Sequence, residues 1–152
     1  MKRAFVFPGQ GSQSVGMGRE LAAAMPEARH LFQEVNDALN QNLSRLMFEG
    51  PEDELTLTEN AQPALMALSM AVVRTLENGG MDLAASAAFV AGHSLGEYSA
   101  LAAAKAMSLV DTARILKTRG QAMQQAVPVG VGAMAALLGV DAEQAADIAA
   151  AA

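Results

Sequence analysis

The sequence predicts an α/β fold, and three observations carry that prediction. Two short apolar runs of strand character, residues 3–7 (RAFVF) and 87–92 (AAFVAG), are separated by long segments of helical periodicity. The second run passes through a glycine-flanked serine straight into an alanine-rich stretch, the order strand, tight turn, helix. Finally, 52% apolar and 17% charged residues over 152 positions suit one globular chain with a buried core.

Residues 3–7 read as a buried strand because five consecutive residues are largely apolar and Pro8 and Gly9 close the run. The loop that follows, PGQGSQSVGMG, has a backbone able to approach a ligand closely. A short helix is expected over 19–25, and a second starts at Pro26, whose fixed φ suits a first helical turn. In this second helix Leu31, Val35, Ala38 and Leu39 share one face, with Glu27, His30, Glu34 and Asp37 opposite. Residues 60–77 form a long helix, with Pro63 in its first turn and Gly79 and Gly80 as its stop. Because that helix is apolar on most sides, it belongs inside something larger.

Residues 87–92 are the second buried strand, followed by a helix over 95–106. Ser108 then opens another helix with Asp111 three residues on, close to the capping-box pattern and favourable to the helix dipole. This helix runs to about 127, where Pro128 and Gly130 stop it. From 132 the texture changes to GAMAALLGV, a strand-like run, and Asp141 caps a last alanine-rich helix. A boundary near Pro128 divides the chain into 1–127 and 128–152. The last helix reaches the final residue without a cap or a glycine, so the sequence reads as the front part of something longer.

Composition narrows the function classes. A net charge of −6 lacks the lysine and arginine surplus that neutralising nucleic-acid phosphates requires. With no cysteine, disulfides, thiolate metal sites and a cysteine nucleophile are all excluded. No apolar stretch reaches the roughly 20 residues of a membrane-spanning helix, and the four apolar residues after Arg3 are too few for a secretory signal. A cytoplasmic protein with no membrane partner is expected. Nothing in the sequence signals a metal or a bound organic cofactor.

The chemistry centres on GHSLG, residues 92–96, which fits the G-x-S-x-G elbow that presents a serine at the tip of a strand-to-helix turn. Side chains at 92 or 96 would collide across so tight a turn. The N–H of Leu95, at the start of the following helix, is placed to stabilise the oxyanion formed when Ser94 attacks a carbonyl. A serine needs a base. His93 is turned aside by the backbone and is expected to be partly buried, its ring fixing the turn by hydrogen bonding. The other histidine, His30, reads as a surface residue between Glu27 and Glu34. The residues therefore offer a nucleophile without a general base.

Three stretches together, FPGQGSQ at 7–13, GHSLGEYSAL at 92–101 and TRGQAMQQA at 118–126, resemble the malonyl-CoA:acyl carrier protein transacylases of bacterial fatty acid synthesis. The resemblance runs in order along essentially the whole chain. It implies a hydrolase-like α/β core with a short parallel sheet, and a ferredoxin-like small subdomain inserted after the helix of Arg119, of which 128–152 would be the first strand and helix. It also implies transfer of malonyl from malonyl-CoA to the phosphopantetheine thiol of acyl carrier protein through an ester on Ser94. Leu95 and Gln10 match the family's oxyanion-hole residues, and Arg119 matches the arginine that binds the malonyl carboxylate, a role suited to a guanidinium fork. Without the resemblance Arg119 would read as a surface helix residue.

Glu97, in the first turn after the elbow, reads as a structural partner of the helix dipole. Lys105, Arg114, Lys117 and Arg119 form a basic stretch that either docks an acidic carrier protein or is simply a solvated helix face. In the family the base histidine lies beyond position 152 and has no counterpart here. Two alternatives stay open at this point, a serine hydrolase such as a thioesterase and a noncatalytic carrier-protein binding module.

Overall fold

The computed structural model describes residues 3–128, 130–132 and 137–151. Strand β1 (Arg3–Phe7) is followed by helices α1 (Arg19–Ala24), α2 (Pro26–Leu39), α3 (Leu43–Glu49), α4 (Glu52–Thr56), α5 (Thr58–Asn78) and α6 (Leu83–Ser86). Strand β2 (Ala87–Gly92) then leads into α7 (Leu95–Ala103), α8 (Leu109–Ala126) and α9 (Ala142–Ala151). The result is an α/β fold with a short parallel sheet and helices, as the sequence predicts.

Local chemistry accounts for the helix starts. Pro26 is the first residue of α2. Ser108 Oγ accepts from Asp111 N at 3.0 Å and donates to the Asp111 carboxylate at 2.7 Å, closing the cap of α8. Asp141 accepts from Gln144 N at 2.8 Å at the start of α9. Three short helices, α3, α4 and α6, lie where no periodic pattern announces them; α3 and α6 start from side-chain caps, Asn42 to Arg45 N and Asp82 to Ala85 N.

Helix α5 is the spine of the molecule. It packs along α8, α2 and α7, and its residues Ala61, Gln62, Pro63, Ala64, Leu65, Met66 and Ala67 are all buried in succession. Leu31 and Val35 of α2, Leu95 of α7 and Leu116 of α8 complete a common core with it. Burial of each such side chain contributes roughly 1.5–3 kcal/mol. Helix α5 starts at Thr58, two residues before the expected 60, so Pro63 falls in its second turn and the Glu59 carbonyl receives no intrahelical bond from it. Helix α7 stops at Ala103, short of the predicted 106, where Lys105 takes φ 60°.

The two strands pair in parallel, with Val6 opposite Ala91 and Phe7 opposite Gly92. Both strands were expected to be buried, and the structure corrects this. Phe7 points into the core, but Val6 is 74% and Phe89 71% exposed. Continuous apolar strands are the pattern of sheets covered on both faces. In this chain α7 packs against both strands, while Ala4, Val6, Phe89 and Ala91 share a face left open.

The strand predicted within 132–140 falls across 133–136, which lie outside the described residues; 137–140 are irregular. All described residues of α9 are exposed except the half-buried Ala145. Among the described residues no helix is long and apolar enough to cross a membrane.

Candidate functional site

Parallel register brings the carboxyl ends of β1 and β2 to the same edge of the sheet, the edge at which open α/β sheets bind ligands. Two loops leave that edge, the glycine-rich segment after Phe7 and the turn at Ser94. They are packed directly on one another. His93 N donates to the Phe7 carbonyl at 3.2 Å, and a Cβ added to Gly96 would overlap the Phe7 carbonyl and lie 2.7 Å from that of Pro8. At Gly92 an added Cβ would run into the backbone of Gly96 and Glu97. Both glycines of the GHSLG stretch are therefore steric requirements, as the sequence predicts.

Ser94 occupies the turn with φ 53° and ψ −113°, a strained conformation for a residue with a side chain. Its carbonyl accepts from Glu97 N at 3.1 Å and the His93 carbonyl from Gly96 N at 2.9 Å, so the backbone locks the elbow. Ser94 is solvent-exposed. Leu95 is the first residue of α7, where a backbone N–H has no intrahelical acceptor, while its side chain anchors the turn in the core.

His93 differs from expectation. It is exposed rather than partly buried, its ring lies across Gly9, and its hydrogen bonds to the described residues are made by its backbone. Glycine contacts and backbone bonds already hold the turn, which leaves the ring nothing to fix. Ser94 Oγ is engaged instead by Arg119, whose Nη2 donates to it at 3.1 Å. His30 is exposed on α2, as predicted.

Arg119 reaches Ser94 because α8 crosses α5 at close range. A Cβ on Gly120 would lie 2.5 Å from Glu59 Cα and 2.7 Å from the Thr58 carbonyl, so only glycine permits this approach. The half-buried Arg119 then extends over the Tyr98 ring, 5.8 Å from its centroid, and donates from Nη1 to Gln62 Oε1 at 2.6 Å. Arg119 is thus no ordinary surface residue. Gln10 sits in the loop beside the elbow with its side-chain amide donating to Thr58 Oγ1 at 3.2 Å. The segments carrying Gln10, Ser94, Leu95 and Arg119 converge on one place.

Gln62 is the residue that sequence reasoning missed. The available signal was a glutamine set among apolar residues in a helix expected to be packed on most sides, since a buried amide needs partners. The basic stretch of α7 and α8 does not form one patch. Lys105 pairs with Glu77 at 3.4 Å, Arg114 donates to the Ala38 carbonyl, and Lys117 is turned inward to Asn60 at 3.0 Å and Glu59 at 3.4 Å. Among the described residues there is no group of His, Asp and Glu side chains suited to hold a metal ion.

An exposed hydroxyl on a strained turn, beside helix N–H groups and a guanidinium, is equipped for acyl transfer through an anionic intermediate. The model of the acyl transferase domain family matches residues 4–150. The malonyl CoA-acyl carrier protein transacylase of Bacillus subtilis is 54% identical over 142 residues, covering 93% of this chain and 44% of that protein. A solved acyl-carrier-protein-S-malonyltransferase from Bartonella henselae superposes with a TM-score of 0.91 at 59% identity, over 97% of this chain and 47% of the other. Also similar, with a TM-score of 0.79 and 44% identity over 84% of this chain and 40% of its counterpart, is a malonyl-transacylase solved in complex with its type II PKS acyl-carrier protein. The chain spans about 44% of the length of the curated relatives it matches. It belongs to the acyl transferase domain family.

Proposed function

We propose that the whole protein transfers the malonyl group of malonyl-CoA to the phosphopantetheine thiol of acyl carrier protein, a step of fatty acid biosynthesis carried out in the cytoplasm. The observation that carries this reading is the guanidinium of Arg119 within a hydrogen bond of Ser94 Oγ. A cation so close to a serine nucleophile suits an acyl group that bears its own carboxylate, and the relatives named above are malonyl transferases.

In the first half-reaction Ser94 Oγ attacks the thioester carbonyl, the C–S bond breaks, and coenzyme A leaves as the thiol with the serine proton. In the second, the pantetheine thiol attacks the malonyl-serine ester and Oγ recovers a proton. The N–H groups of Leu95 and Gln10 stabilise the oxyanion in both halves, with Gln10 also contacting the acyl group. Arg119 holds the malonyl carboxylate through paired hydrogen bonds. The proton transfers need a base that neither His30 nor His93 supplies, and the resemblance puts it beyond residue 152. No cofactor enters the scheme. Residues 1–127 are assigned to a hydrolase-like large subdomain and 128–152 to the start of a ferredoxin-like small one.

The test is to incubate the full-length protein with malonyl-CoA and analyse the peptide containing Ser94 by mass spectrometry. A malonyl ester that is discharged by holo acyl carrier protein faster than by water is the expected result. Absence of the adduct refutes the reading. Discharge to water alone would indicate a hydrolase.

A further inference from the structure

We propose that Gln62 is a positioning residue that aims the Arg119 guanidinium while leaving its charge uncompensated, and so sets selectivity for carboxylate-bearing acyl groups; this rests on the transacylase reading above. Gln62 has no solvent exposure and sits in the part of α5 where its neighbours are all buried. Burying a primary amide there is unfavourable unless it is hydrogen-bonded. Both ends of the amide are spent on α8. Oε1 accepts from Arg119 Nη1 at 2.6 Å, and Nε2 lies 3.3 Å from Met123 Sδ, one turn further along. An apolar side chain would fill the same volume without that cost, so packing alone does not explain the residue.

The chemical type of the acceptor matters more than the contact. A carboxylate at this position would hold the guanidinium equally well but cancel its charge and compete with an incoming carboxylate. An amide orients without neutralising. The nearby acidic residue is kept away from the site: Glu59 pairs with Lys117 at 3.4 Å, and among the described residues no carboxylate pairs with Arg119. With Gln62 fixing Nη1 and the Tyr98 ring lying against the guanidinium, the fork has one preferred orientation, and Nη2 points at Ser94 Oγ. An acyl carboxylate entering beside Ser94 therefore meets a pre-aimed cation with hydrogen-bonding capacity to spare.

Two substitutions in the full-length protein test this, with malonyl-CoA and acetyl-CoA as the probes. Gln62→Glu keeps the shape and adds the competing charge; Gln62→Met keeps the volume and removes the acceptor. In both, the ratio of malonyl to acetyl kcat/KM is expected to fall about tenfold or more, mainly through a higher KM for malonyl-CoA, because a hydrogen bond to a charged group is at stake. A purely structural role would lower both substrates alike. An unchanged ratio in the two variants overturns the proposal, as does an equal loss for malonyl and acetyl. If the unsubstituted protein forms no malonyl adduct on Ser94, the transacylase reading itself has failed and this inference falls with it; an adduct in the unsubstituted protein with an unchanged ratio in the variants refutes the role of Gln62 alone.

Discussion

Substituting Gly120 by alanine sets two effects of opposite sign against each other, and the geometry decides between them. In an isolated helix the change stabilises by about 0.8–1.0 kcal/mol. Here the new methyl would lie 2.5 Å from Glu59 Cα and 2.7 Å from the Thr58 carbonyl, whereas ordinary contact starts at 3.4 Å. Both obstacles are backbone atoms of α5 and cannot swing aside, so α8 must retreat by about 0.9 Å, an overpacking that costs about 1–3 kcal/mol. With two backbone contacts in conflict the upper part of that range applies, and the net loss is about 1–2 kcal/mol. In urea unfolding, with a slope of about 1–3 kcal/mol per molar, the midpoint is expected to drop by about 1 M. The same retreat would lengthen the 2.6 Å bond from Arg119 to Gln62 by at most about 0.9 Å, weakening it to the extent that the arginine side chain does not follow. A midpoint equal to or above that of the unsubstituted protein would show that the α5–α8 crossing yields freely, and the steric reasoning would be wrong.

Arg119→Ala in the full-length protein is expected to weaken malonyl loading by about 2–4 kcal/mol relative to acetyl loading, read from adduct formation on Ser94, since acetyl has no carboxylate to lose. Equal losses would remove Arg119 from selectivity. Ser108→Ala deletes the cap of α8 and is expected to lower stability by about 1 kcal/mol in a denaturant titration. In the 152-residue chain, Leu31→Ala at a fully buried position is expected to destabilise by about 2–5 kcal/mol, whereas Phe89→Thr on the open sheet face changes stability by only about 0.5 kcal/mol. Comparable effects at the two positions would contradict the burial pattern.

The elements that the sequence announces are those with a strong local signal. Strands β1 and β2, the proline start of α2, the serine cap of α8 and the aspartate cap of α9 all fall where apolar runs or capping residues predict them. Helices α3, α4 and α6 are too short for periodicity to register, and they form against tertiary neighbours. Exposure of Val6 and Phe89 was illegible for another reason: residue type reports the environment a strand is suited to, not what covers it in a given chain. At the site, the elbow could be read within five residues because its sterics are local. The contact of Arg119 with Ser94 spans 25 positions and that with Gln62 spans 57, so both depend on the α5–α8 crossing. Motif resemblance supplied Arg119 as a candidate; nothing comparable pointed to Gln62.

The strained backbone at Ser94 also bears on how such a site persists through mutation. Glycine adopts φ near +53° without the steric penalty that serine meets, a difference on the order of 1 kcal/mol in favour of the substituted fold. Stability alone would thus favour replacing the hydroxyl-bearing residue. Under the proposed acyl transfer, selection for the hydroxyl has to oppose that drift continuously, and a copy released from the reaction would be expected to lose the serine by becoming a better-folded protein.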